Sequence, residues 1–101
     1  MDWNSLSNVA VLTEIGNRLK LERINKKLTQ KQLAGKAGVS LFTVAQIEKG
    51  FSVSVSMLVA VIRALRLLPN LELLLPEQPI SPVALLTQSR KVTKRVRQKN
   101  E

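Results

Sequence analysis

The side chains whose chemistry is most informative lie between residues 41 and 49. Gln46 carries an amide that can donate to and accept from an adenine edge, and Phe42 can contact the methyl group of a thymine. At 100° per residue both lie opposite Val44 and Ile47, which we expect to face a core. The candidates for base contacts are Leu41, Phe42, Ala45 and Gln46. These residues predict a helix whose outer face can meet the major groove of duplex DNA.

Polar and basic side chains near this helix are suited to phosphate contacts. Gln30 and Lys31 lie beside the N-terminus of another predicted helix, where free amides and the helix dipole favour an anion. Because an exposed helix fits the DNA major groove, we expect DNA rather than RNA as the partner. The phosphate candidates that follow from residue type and position are Lys27, Gln30, Lys31, Thr43 and Lys49.

The composition argues against catalysis. The chain of 101 residues has no cysteine and no histidine, which excludes disulfides, Cys/His metal sites and His-based acid–base schemes. Seven acidic residues and no tyrosine leave little from which to build another active site. We therefore expect no enzyme activity, no metal and no cofactor.

The charge balance indicates a polyanionic partner. Lys and Arg number 16 against 7 Asp and Glu, so the formal net charge is +9. The N-terminus is acidic, unlike a secretory signal, and no apolar run approaches the ~20 residues that a membrane span needs. We expect a cytoplasmic protein, nucleoid-associated when bound to DNA, with no membrane partner.

Apolar residues recur at steps of three and four, which predicts an all-α fold. Thr29 and Gln32 form a capping box, Gly38 ends one helix and Ser40 caps the next. Gly16 lies on the inward side of the first helix and allows a neighbour to approach closely. Helices are expected over residues 7–25, 29–38, 41–49, 55–67 and 71–75. The expected inward residues are Leu12, Ile15, Leu19, Leu33, Ala34, Ala37, Val44, Ile47, Leu58, Ile62 and Leu65.

We expect residues 1–75 to form the domain and residues 76–101 to form a linker and a basic tail. Pro76, Pro79 and Pro82 favour extended chain, and six of the 16 basic residues follow Ser89. The tail is either solvated and disordered or a helix that folds on a partner or on DNA. The stripe of that helix would be Leu85, Ser89, Val92 and Val96.

Gly38, Val39 and Ser40 alone connect the second and third helices, so the two helices must cross steeply and the third can project from the domain. The segment resembles the Cro/phage-repressor-like helix-turn-helix proteins, often called the XRE family. The resemblance covers about residues 15–75. The matching residues are Leu28-Thr29-Gln30, Leu33-Ala34, Ala37-Gly38-Val39-Ser40 and Ile47-Glu48-Lys49-Gly50.

This resemblance implies a five-helix domain that binds double-stranded operator DNA as a two-fold dimer. Gln30 matches the phosphate-contacting glutamine of the family, and Arg23 matches an arginine that pairs with the glutamate at Glu48. We interpret this pair as mainly structural, with Arg23 oriented toward a phosphate. Ser40, Leu41, Phe42, Thr43 and Gln46 match positions that face bases or the DNA backbone.

Two departures from the family pattern affect the interpretation. Lys27 stands where the family usually has glycine, at the turn between helices 1 and 2. Leu41 and Phe42 replace the polar residues that are typical early in the reading helix. We therefore expect thymine methyl contacts and DNA shape to contribute more to specificity than hydrogen bonds do.

The second half of the chain resembles HipB-type antitoxins, which are repressors encoded beside HipA-like kinase toxins. The resemblance rests on residues 63–77, on residues 81–86 and on the basic tail. It implies an autoregulated operon and a HipA-like kinase toxin that binds the dimer. The dimer candidates are Leu68, Leu71, Leu74 and Leu75, with intradomain core as the alternative for each.

The leading hypothesis is therefore a sequence-specific repressor that excludes polymerase from a promoter. A protein-interaction module that binds or neutralises a toxin, with DNA binding secondary, is the first alternative. A membrane-surface or RNA binder that relies on the basic tail is a weaker one.

Overall fold

The computed structural model describes residues 1–79, so most of the predicted tail and its stripe lie outside the described residues. The helices are α1 (Asn8–Asn25), α2 (Gln30–Ala37), α3 (Leu41–Glu48), α4 (Val55–Ala64) and α5 (Leu71–Leu74). Short 3-10 turns occur at Trp3–Ser5 and Leu68–Asn70. Residues 1–79 contain no strand, and the all-α prediction is confirmed. No helix in this range is long and apolar enough to cross a membrane.

The first compact unit spans Met1–Leu71, and α1 to α4 lie within it. Each of these four helices begins at a hydroxyl cap. The hydroxyl oxygens of Ser7, Thr29, Ser40 and Ser54 each accept the amide three residues further on, at 3.0 to 3.2 Å. The Thr29 amide also donates to Gln32 Oε1 at 2.8 Å, which confirms the predicted capping box.

Each of these four helices is followed by a residue in the left-handed backbone conformation. Lys27, Gly38, Gly50 and Arg66 have φ values of +59°, +71°, +86° and +61°. After Lys27, for example, the Leu28 amide donates back to the Arg23 carbonyl at 3.1 Å. Lys27 thus adopts the left-handed conformation that glycine usually supplies at this turn. For a residue with a Cβ this conformation costs roughly 1 kcal/mol of free energy.

The prediction that the fourth helix reaches residue 67 is wrong. α4 ends at Ala64, because Arg66 turns into the left-handed region and the Leu67 amide donates to the Ile62 carbonyl at 3.0 Å. Pro69 therefore does not end this helix, since the chain has already left it.

The core lies where α1 to α4 meet. Leu33, Val44, Val61 and Leu65 are almost fully buried, together with Leu19, Ala34 and Ile47. The expected residues Leu12, Ile15, Ala37, Leu58 and Ile62 are only half-buried. Val61 was not among the expected core residues, although it lies three residues after Leu58 and four before Leu65, in the middle of the same stripe.

Two glycines let α1 lie directly against the C-terminal end of α3. A Cβ on Gly16 would lie 3.0 Å from the Glu48 carbonyl oxygen and closer still to that of Ile47. A Cβ on Gly50 would lie 2.7 Å from Thr13 Cα. The prediction for Gly16 is confirmed, and the close approach fixes the end of α3 on the body of the unit.

Candidate nucleic-acid interface

α2 and α3 are joined by a turn that the sequence determines locally. Gly38 takes the left-handed conformation, and the Val39 amide donates to the Ala34 carbonyl at 3.1 Å. Ser40 then caps α3, so only three residues separate the end of α2 from the start of α3. Because Leu33 and Ala34 of α2 pack with Val44 and Ile47 of α3 in one core cluster, α3 turns its other face outward.

The outer face of α3 is apolar at its start and polar toward its end. Phe42 is 70% exposed and Leu41 is 48% exposed, which is unusual for side chains of this size. Ala45 and Gln46 are half-buried, and Lys49 is exposed at the end of the helix. The Gln46 amide makes no side-chain hydrogen bond within residues 1–79, so it can bond to a base edge.

A buried ionic network ties this helix to α1 and α2. Arg23 Nε and Nη2 donate to Glu48 Oε2 and Oε1 at 2.7 and 3.1 Å, in a two-pronged pair. Arg23 Nη1 donates to the Leu28 carbonyl at 2.7 Å, and Gln30 Nε2 donates to Glu48 Oε1 at 3.0 Å. The side chains of Arg23 and Glu48 are only 11% and 5% exposed. The Glu48 carboxylate of α3 therefore fixes the positions of α1 and of the start of α2 relative to α3.

This network changes the role expected of Arg23. Three of the five guanidinium N–H groups donate within the protein and the side chain is only 11% exposed, so little of it is left to contact a phosphate. Gln30 keeps one N–H of its amide free, because Nε2 carries two hydrogens and Glu48 accepts one. The network therefore orients Gln30: Arg23 holds the Glu48 carboxylate, and that carboxylate holds the Gln30 amide.

Thr43 also lies elsewhere than its predicted phosphate role requires. It is 8% exposed, and its hydroxyl lies 2.9 Å from Ser40 Oγ and 3.9 Å from Met57 Sδ. The physical reason is helical spacing, because Thr43 precedes the buried Ile47 by four residues and shares its face. Ser40 remains exposed as the cap of α3.

The lysines expected at phosphates are open to solvent. Lys27, Lys31 and Lys49 are exposed, and none forms an ion pair within the described range. Lys31 lies in the first turn of α2, where the helix dipole favours an anion. These side chains are therefore free to contact an incoming polyanion.

The contact between Gln30 and Glu48 has no signal in the sequence, because the two residues lie 18 positions apart and each is polar. The sequence likewise contains no signal for the packing of Met57 against the Thr43 hydroxyl. Helical periodicity, by contrast, would have been sufficient to predict that Thr43 is buried, since its four-residue spacing to Ile47 is visible in the sequence.

The arrangement is that of a helix-turn-helix domain with an open reading helix. The helix-turn-helix family HTH_3 matches residues 19–70, about half of the chain, and the chain belongs to this Cro/C1-type, XRE family. Its members are DNA-binding regulators, so the protein is a DNA-binding regulator. A comparison with curated proteins finds no match.

Proposed function

We propose that the protein is a transcriptional repressor that places α3 in the major groove of its operator. The observation that carries this proposal is the open outer face of α3, where Phe42 is 70% exposed and the Gln46 amide makes no side-chain hydrogen bond to any described residue. Gln46 contacts an adenine, while Leu41, Phe42 and Ala45 contact thymine methyl groups. Such contacts read sequence, whereas phosphate contacts only position the protein.

The phosphate contacts come from two sides of the reading helix. Gln30 donates its remaining N–H. Lys31 follows it in α2, and Lys27 lies in the turn that precedes this helix. Ser40 and Lys49 flank α3 at its two ends. Thr43 supports this set without touching DNA, because it is buried within the unit. Arg23 supports it mainly by holding Glu48, which in turn orients Gln30.

We propose further that the repressor binds as a homodimer. Leu68 and Leu71 are half-buried at the end of the first unit, whereas Leu74 and Leu75 are 71% and 70% exposed. Exposed leucines in neighbouring positions favour burial against a second molecule. Two reading helices related by a two-fold axis would meet half-sites about 34 Å apart.

The resemblance to HipB-type antitoxins supports a more specific role. In this proposal the dimer occupies the promoter of its own operon and binds a HipA-like kinase toxin encoded beside it. A HipA-like reading frame next to the gene, and co-purification of its product with this chain, would support the role. A partner that still binds after deletion of residues 1–55 would favour the alternative, a toxin-binding module with DNA binding secondary.

A gel shift with the DNA upstream of the gene tests the proposal directly. At about 150 mM salt we expect the specific duplex to bind far more tightly than a scrambled one. Gln46→Ala should weaken specific binding about 5- to 150-fold, because one base contact contributes about 1 to 3 kcal/mol of discrimination.

Lys49→Ala is the matched control for this experiment. As a phosphate contact it should weaken specific and scrambled binding alike and reduce the salt slope by about one. Equal affinity of the unmodified chain for both duplexes would refute sequence-specific binding. An unchanged affinity of Gln46→Ala would refute the role assigned to that residue.

A further inference from the structure

An open cleft between α2 and α4 uses none of the residues assigned to DNA. Its volume is about 500 Å³. Half-buried alanines form its floor, and exposed basic side chains form its rim. The alanines are Ala37, Ala60 and Ala64, and the basic residues are Lys36, Arg63 and Arg66. We call this feature the α2–α4 cleft.

The basic rim of the cleft is not neutralised by the part of the chain that the structure describes. The three ion pairs within residues 1–79 use Arg18 and Arg23 of α1 and Lys26, which directly follows this helix. No acidic residue among positions 1–79 lines the cleft. Three cations around a concave surface therefore produce a local positive potential that attracts an anionic occupant.

The shape of the cleft restricts which anion can enter. The cleft is a concave space of about 500 Å³, which fits the side chains of a chain segment better than the convex backbone of a duplex. The chain's own tail is a poor occupant, because residues 90–101 carry six basic residues and a single acid. The volume and the alanine floor instead suit the side chains of a peptide.

From these features we infer that the α2–α4 cleft binds an acidic segment of a partner protein. Carboxylates of the segment lie between Lys36 on one side and the two arginines on the other, while its small apolar residues rest on the alanines. Arginine suits this role, since its planar guanidinium can hold a carboxylate with two hydrogen bonds. The inference does not depend on DNA binding by α3.

The turn after α4 places the two arginines together. The Arg66 amide donates to the Arg63 carbonyl at 2.9 Å, and the left-handed conformation of Arg66 ends the helix there. Both arginines therefore lie at the C-terminal end of α4, and they line the cleft together with Lys36 of the C-terminal turn of α2.

An NMR titration of the isotope-labelled full chain tests the inference. The probe is a short peptide of glutamate and alanine, too short to form a stable helix, and the control peptide has glutamine at each glutamate. We expect the glutamate peptide alone to shift the amides of Ala37, Ala60 and Ala64. Arg63→Glu and Lys36→Glu should each weaken its binding by about tenfold. Lys20→Glu, which reverses an exposed cation of α1, should leave it nearly unchanged.

Three outcomes would overturn the inference. The first is a shift pattern spread evenly over exposed cations, including Lys20. The second is an equal response to inorganic phosphate at the same concentration, which would identify a site for free anions. The third is a loss of duplex affinity in Arg63→Glu that exceeds the loss in Lys20→Glu, which would place the cleft on the DNA surface.

Discussion

Gly16→Ala is expected to lower the free energy of unfolding by about 2 kcal/mol or more, and the melting temperature by roughly 10 °C. The new Cβ would lie 3.0 Å from the Glu48 carbonyl oxygen and closer to that of Ile47. Both atoms belong to the backbone of α3, so no side chain can rotate away. Separation of α1 from α3 is the remaining response, and it disrupts the buried network at Glu48 as well.

Gly35→Ala is the matched control. Gly35 lies in α2, and a Cβ there would meet no atom within 4 Å. Alanine is favoured over glycine in a helix by about 1 kcal/mol, so this variant should melt roughly 4 °C higher than the unmodified chain. Circular dichroism against temperature measures both. Similar melting temperatures for the two variants would contradict the close contact between α1 and α3.

Removing one partner of the Arg23–Glu48 pair is expected to have an effect of similar or larger size. Glu48→Leu leaves a guanidinium that is 11% exposed without its carboxylate, and Arg23→Leu leaves a buried carboxylate without its main donor. A buried charge left in this way costs about 3 to 5 kcal/mol. Since domains of this size are stable by about 5 to 15 kcal/mol, each variant should lose a large fraction of its free energy of unfolding.

The double variant Arg23→Leu with Glu48→Leu should be much more stable than the sum of the two single effects predicts. It leaves neither charge behind, and only Gln30 and the Leu28 carbonyl lose a partner. Urea unfolding of all four proteins gives the coupling free energy. A coupling near zero would show that the pair does not stabilise the unit.

Much of the fold follows from local signals in the sequence. Thr29, Gly38 and Ser40 each fix a helix end through their own backbone preferences, and the structure places those ends as expected. The exposure of Phe42 follows likewise from the 100° step that buries Val44 and Ile47.

Features that depend on distant contacts were harder to predict. The end of α4 was misplaced because Arg66 adopts a left-handed conformation that its side chain does not favour. The resemblance predicts that Arg23 pairs with Glu48 and is oriented toward a phosphate; the pair is present, but three of the five N–H donors of Arg23 are taken up by Glu48 and by the Leu28 carbonyl. Residue types alone do not reveal such competition between partners, because it is decided by where α1 and α3 pack.

The central claim is that the outer face of α3 touches nucleobases, and photocrosslinking tests it most directly. Benzoylphenylalanine at position 42 would be irradiated in the presence of the upstream duplex, with the same group at the exposed Leu21 of α1 as the control. We expect crosslinks from position 42 to bases within one half-site and none from position 21. Crosslinks of equal yield from both positions, or none from position 42 in a complex that binds, would contradict the claim.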